Sequence, residues 1–155
     1  MNKKLPGWID QIDEGGYSEG SLDDPEFKII QARWNEVMSK KPLTCIIAGG
    51  RDIHDYQLVI DAVKESGFDI GTVVSGGAKG VDALGELYSE ENMLNLKIFN
   101  ADWETHGRAA GPIRNRKMAE NADALIAIWD GQSRGTKNMI ETATKLGLLV
   151  YVKMI

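Results

Sequence analysis

The chain has 155 residues, 43% hydrophobic and 26% charged, a balance that fits one globular domain able to bury a core of its own. Its formal net charge of -5 sets it against wrapping duplex nucleic acid, whose phosphates such a field repels. A single cysteine excludes an internal disulfide framework, and no apolar run reaches the roughly 18 residues of a membrane span, so a cytoplasmic protein with no membrane partner is expected.

The first 24 residues are rich in acids and glycine (Asp10, Asp13, Glu14, Gly15, Gly16) and read as a flexible or loosely docked arm, with Trp8 and Ile9 as its apolar anchors. A helix is predicted over 25–41: Asp24 suits the N-cap, Pro25 the first helical position and Glu26 the positive end of the helix dipole. Phe27, Ile30, Trp34, Val37 and Met38 follow at three- and four-residue spacing as one apolar stripe, which Pro42 ends. From Leu43 short apolar runs alternate with amphipathic stretches. Strands are predicted over 44–48, 72–75, 96–99, 124–129 and 148–152, and helices over 56–66, 80–91, 112–121 and 135–146. Cys45, inside the first strand, reads as a small buried hydrophobe. Continuous apolar strands joined by such helices indicate a parallel sheet covered on both faces. The expected fold is α/β: a Rossmann-like doubly wound, mostly parallel five-stranded sheet over 43–155, plus the extra N-terminal helix.

Ligands of such sheets bind outside the carboxyl ends of the strands, so the segment after each strand carries the chemistry. After the first stand Gly49 and Gly50, which let backbone N–H groups approach an anion, and Arg51, whose planar fork suits phosphate or carboxylate. After the second, Ser75-Gly76-Gly77-Ala78-Lys79-Gly80-Val81-Asp82 opens a helix, so its amides and the helix dipole would both face a bound anion. Its glycine spacing is not the dinucleotide fingerprint, and it lacks the ending of a P-loop, which argues against ATP hydrolysis of that type. Asp82 either caps the helix or meets a ligand hydroxyl.

The third segment gathers Asp102, Trp103, Arg108, Arg114, Asn115 and Arg116. Trp103 offers a flat face for a base or anchors the core, and the arginines offer charge to phosphate. His54 and His106 have no partner at metal-ligand spacing, so no metal is expected. The fourth segment, Trp129-Asp130-Gly131-Gln132-Ser133-Arg134-Gly135-Thr136, repeats the order of strand, glycine turn and helix start. Ser133 and Thr136 either donate to phosphate or cap the helix. Four anion-friendly strand ends in one sheet converge on one cleft.

Residues 75–82, 111–116 (Gly-Pro-Ile-Arg-Asn-Arg) and 129–136 resemble the YspA-like branch of the SLOG superfamily, which joins the Smf/DprA DNA-processing proteins to the Lonely-guy cytokinin-activating enzymes. The resemblance runs from Leu43 to the C-terminus and implies a Rossmann-like fold that binds a nucleotide or nucleotide-derived ligand. Lonely-guy enzymes cleave the N-glycosidic bond of a nucleoside monophosphate. By the same resemblance Arg114 matches their catalytic arginine, Met118 a methionine four positions on, and Gly135 and Thr136 the glycine and threonine of their second motif. Asn115 stands where their lysine would be, and Asn138 where their first, catalytic glutamate would be.

Glycosidic cleavage needs a carboxylate near an oxocarbenium-like centre, which Asn138 cannot supply. Glu141, three residues later, is the candidate replacement. The expected function is therefore recognition of a nucleotide or ADP-ribose-like small molecule by a sensor or binding module, with no cofactor required. The alternatives are a nucleotide N-glycosidase working through Arg114 and Glu141, and single-stranded DNA binding as in the DNA-processing relatives, which the acidic balance disfavours. A homodimer is expected by analogy, with the apolar face of the N-terminal helix available to serve it.

Overall fold

Helix α1 (Pro25–Ser39) starts as its residues dictate: Asp24 Oδ1 accepts the Glu26 N–H at 3.0 Å, and Pro25 occupies the first turn, where a missing N–H costs nothing. The computed structural model describes residues 24–39 and 41–155; the expected arm and the side chains of Trp34, Val37 and Met38 lie outside the described residues.

Residues 42–155 form a unit of their own on five strands. These are β1 (Leu43–Gly49), β2 (Ile70–Ser75), β3 (Asn95–Ile98), β4 (Ala124–Trp129) and β5 (Leu149–Met154). They lie in the order β3-β2-β1-β4-β5, and every neighbouring pair is parallel, which gives the Rossmann-like α/β sheet. The chain moves outward from β1 to β3, then crosses back to continue through β4 to β5. The order therefore reverses between β1 and β4, and their carboxyl ends open a crevice there.

The two central strands have no polar face because both of their faces are covered. On one side Cys45 and Ile47 of β1 and Ala124, Ile126 and Ile128 of β4 pack under α2 (Tyr56–Ser66) and α3 (Val81–Glu91), through Val59, Ala62, Val63 and Val81. On the other, Ile46, Leu125 and Ala127 meet Met118 and Ala119 of α5 (Ala110–Glu120) and Met139 and Ala143 of α6 (Arg134–Lys145). Each large aliphatic side chain buried this way contributes about 1.5–3 kcal/mol before chain entropy is charged against it. Asp55 caps α2 by accepting the Gln57 N–H at 3.0 Å, and Gly67 closes it in the left-handed region at φ 70.

Every element lies within two residues of its predicted bounds, β2 starting at 70 instead of 72 and β5 ending at 154 instead of 152, with three further differences at β3, α5 and the approach to α5. Strand β3 covers 95–98 rather than 96–99, and all four of its residues are exposed, because it is a sheet edge that packs inward only through the flanking Leu94 and Phe99. Helix α5 begins two residues before Pro112. The proline thus sits inside the first turn, where its N–H has no helical partner to lose. The approach to α5 is not an open loop: it holds a one-turn helix α4 (Trp103–His106), capped by Asp102, and a 3-10 turn over Gly107–Ala109.

Candidate functional site

A cleft of about 710 Å³ occupies the crevice at the carboxyl ends of β1 and β4. One wall is Gly49, Gly50 and Arg51, where β1 ends. This turn is tied to the start of α3 by the Val81 N–H, which donates to the Gly50 carbonyl at 3.2 Å. Gly80, at the helix start, has φ 73, and a Cβ there would collide with the Gly50 carbonyl, so only glycine lets the two turns meet.

The opposite wall is the start of α6. Asp130 Oδ1 accepts the Gln132 and Ser133 N–H groups at 2.8 and 2.9 Å, and these bonds, Ser133 first, hold its carboxyl below the usual range. Ser133 caps α6, its Oγ accepting the Thr136 N–H at 3.4 Å and the Thr136 hydroxyl at 3.0 Å. With its lone pairs engaged, Ser133 has its proton left to offer a ligand. Arg134 and Gly135 line the same wall at the positive end of the helix.

The floor comes from α5. Arg114 donates through Nη1 to the Gly76 carbonyl and through Nε to Asn115 Oδ1 at 3.1 Å. Buried Asn115 then donates from Nδ2 to Asn138 Oδ1 at 2.9 Å and to the Gly135 carbonyl at 3.3 Å. One asparagine thus holds the floor arginine and the α6 wall in a single network. Asp82, only 6% exposed, borders the floor with Oδ2 accepting the Ala78 N–H at 3.2 Å. Burial pushes its carboxyl pKa up, partly offset by that N–H and by Arg114. Burial likewise pulls the Arg114 pKa down, against the pull of Asp82.

Among the described residues the ion pairs are Arg116–Glu120, Lys137–Glu141 and Lys153–Glu65, none of them in the cleft. Arg114 therefore lies half buried with no carboxylate at ion-pair distance. At the mouth, Arg51 lies over the ring of half-exposed Trp103, 5.8 Å from its centroid, with Arg108 also lining the cleft. Past Arg51 and Trp103 a second cavity of about 620 Å³ opens, bordered by Gly76 and Gly77.

Not every candidate reaches these cavities. Ser75 is fully buried, its hydroxyl donating to Glu86 at 2.8 Å and accepting the Gly77 N–H at 3.1 Å, so it shapes the turn from beneath instead of facing a ligand. Asp102 caps α4 through the Thr105 N–H at 3.1 Å. Trp129 spends its indole N–H on the Ser133 carbonyl at 3.1 Å, and Gly131 and Gly80 serve backbone conformation with φ 81 and 73. Glu141 does not line the cleft. Three residues beyond Asn138 is only about 60° round the helix but about 4.5 Å further along it, away from the helix start that forms the wall, and there Glu141 pairs with Lys137 at 3.9 Å in solvent. Met118 and Asn138, which the family resemblance aligns with motif positions, line the cleft, and so do Asp52, Gln132 and the apolar Met139, which were not candidates. Two of these, Met118 and Met139, carry the helix-period apolar signal of a core position, and only the packing shows that they also back the cleft.

Residues 44–106 match the YspA, cpYpsA-related SLOG family. The Gene 61 protein of Mycobacterium phage D29 is 33% identical over 115 residues, 68% of this chain and 91% of that protein. The chain belongs to the YspA-related SLOG family. Its fold is similar to that in the X-ray structure of DNA processing protein A (DprA) from Streptococcus pneumoniae, with a TM-score of 0.57 over 72% of this chain. At 17% identity that likeness is one of fold, and this chain spans 50% of that DprA chain. Among the described residues no helix is long and apolar enough to cross a membrane, and no group of three or more His, Cys, Asp or Glu is placed to hold a metal ion.

Proposed function

We propose that the cleft binds a nucleotide or nucleotide-derived phosphate ligand as a recognition site, without cleaving it. One observation carries the reading: Arg114 is half buried at the base of the cleft, fixed by the Gly76 carbonyl and Asn115, and has no carboxylate at ion-pair distance among the described residues. Its acceptors are neutral, Asp82 offsets its charge only from beyond ion-pair distance and Arg51 adds positive charge beside it, so an anionic ligand is favoured there. The amides at the start of α6 and the Ser133 hydroxyl add donors for phosphate. Asp82 keeps Oδ1 for sugar hydroxyls, and the exposed face of Trp103 suits a base. Asn138 has no charge to stabilise a cationic sugar, and Glu141 lies off the cleft, which favours binding over turnover.

Calorimetry with AMP, GMP, CMP, UMP and ADP-ribose tests this. At least one should bind, and Arg114→Ala should weaken it by about 2–3 kcal/mol, the loss of a charge-assisted contact. Chromatography of the same mixtures should show no free base. Absence of binding across the panel, or binding indifferent to Arg114→Ala, refutes the reading. Base release refutes its non-catalytic part and favours an N-glycosidase.

A further inference from the structure

We infer that the second cavity is a distinct anion subsite, so that the preferred ligand carries phosphate at two separate positions. This rests on the nucleotide-binding reading of the main cleft and names the ligand class for it. The second cavity, about 620 Å³, is close in size to the main cleft at about 710 Å³, and each is large enough to hold a ligand of its own. The two share Arg51, Asp52, Ala78, Trp103 and Arg114 as a common border. A ligand in one therefore extends into the other past these side chains.

The chemistry of the second cavity is cationic although the chain as a whole is acidic. Arg51, Lys79 and Arg114 line it against the single carboxylate Asp52, and among the described residues none of the three cations is in an ion pair. Two of these cations are held in place. Arg114 is fixed by the Gly76 carbonyl, and Arg51 lies 5.8 Å from the Trp103 centroid. Asn100 closes the far side with its Oδ1 packed on the Cα of Gly77, so that any side chain at Gly77 would collide with it. Lys79 lies in the second cavity and not in the main one, which makes it the cation that separates the two. A nucleoside monophosphate satisfies one chamber and leaves Lys79 facing water. A nucleotide with a second, remote phosphate satisfies both.

The test compares AMP, adenosine 3′,5′-bisphosphate and the 5′-phosphorylated dinucleotide pApA by calorimetry, on the wild-type chain and on Lys79→Gln. An AMP titration in added inorganic phosphate asks whether a second, separate anion fills the same place. At least one two-phosphate probe should bind about tenfold or more tighter than AMP, the scale of one charge-assisted contact. Lys79→Gln should abolish that gain while leaving AMP affinity and the circular dichroism spectrum unchanged. Tighter AMP binding in phosphate, lost in Lys79→Gln, also supports the subsite and shows that two separate anions fill it. The inference is overturned if no two-phosphate probe exceeds AMP and phosphate does not help it, or if the gain survives Lys79→Gln. AMP binding with neither gain sinks the subsite alone, whereas no binding by any probe sinks the nucleotide reading with it.

Discussion

Gly76→Ala should disarm the cleft without unfolding the protein. A Cβ at Gly76 would stand 2.5 Å from Arg114 Nη1, 2.8 Å from Asp82 Oδ2 and 2.9 Å from Arg114 Cζ. Ordinary contact with carbon begins at about 3.5 Å, so the guanidinium must retreat by about 1 Å and release the Gly76 carbonyl. Gly76 is not among the positive-φ glycines, so alanine fits its backbone, and the obstructing atoms belong to side chains instead of the main chain. The cost therefore falls on the position of Arg114. A hydrogen bond to a charged group is worth about 1.5–3 kcal/mol, which is about a 10- to 150-fold loss of ligand affinity. Calorimetry with the tightest nucleotide of the panel, paired with thermal unfolding, reads the two effects apart. Unchanged affinity would show that Arg114 does not hold the ligand. A collapse of the melting temperature would show that the backbone yielded instead of the side chain.

Asp82→Asn should stabilise the protein at neutral pH and weaken ligand binding. Burial raises the native pKa of Asp82 above 3.8, so the folded state holds this proton more tightly than the unfolded one. Its contribution to stability is then greatest below 3.8 and declines as pH rises through the raised native value. Asparagine removes the titration while still accepting the Ala78 N–H. Urea unfolding from pH 3.5 to 8 should show the variant's advantage growing with pH, and a pH-independent difference would refute the assignment. Cys45, fully buried, has its thiol pushed up to about 12, which leaves about one part in 10⁴ as thiolate at pH 8. It should resist a thiol reagent in the native protein and react at once in denaturant, so rapid native labelling would contradict the packing of β1.

Much of the fold was legible because the chain repeats one physical pattern. A strand buried on both faces shows as an unbroken apolar run, as over Ala124–Trp129, and a half-buried helix as period 3.6, as over Tyr56–Ser66. The places that escaped are those where the local pattern is weak or neighbours decide. Strand β3, only four residues long and carrying Asn95 and Lys97, gives a weak signal at the sheet edge, and Pro112 suggested a helix start although α5 had already begun at Ala110. Within the site, glycines and arginines after strands announced an anion cleft. Whether Asn138 or Glu141, a turn further along α6, lines the cleft depends on where the helix starts relative to the strand ends, which the helix period alone does not set.

Glycine-rich turns were readable in residues alone, because Gly49-Gly50, Gly76-Gly77 and Gly131 each follow an apolar run of strand length. Which of those residues meet a ligand was decided by the tertiary structure. Ser75 and Trp129 carry polar groups that suit a ligand as well as Ser133 does. The packing spends theirs on Glu86, the Gly77 N–H and the Ser133 carbonyl. Arg114 is marked by its charge, but its anchoring on the Gly76 carbonyl and Asn115, with Asp82 near yet outside ion-pair distance, arises only when α5, the turn after β2 and α6 come together around it. Hydrogen-bond partners and burial are properties of the assembled neighbours, and so the chain's chemistry is written in its residues while the choice of which groups remain available is made by the fold.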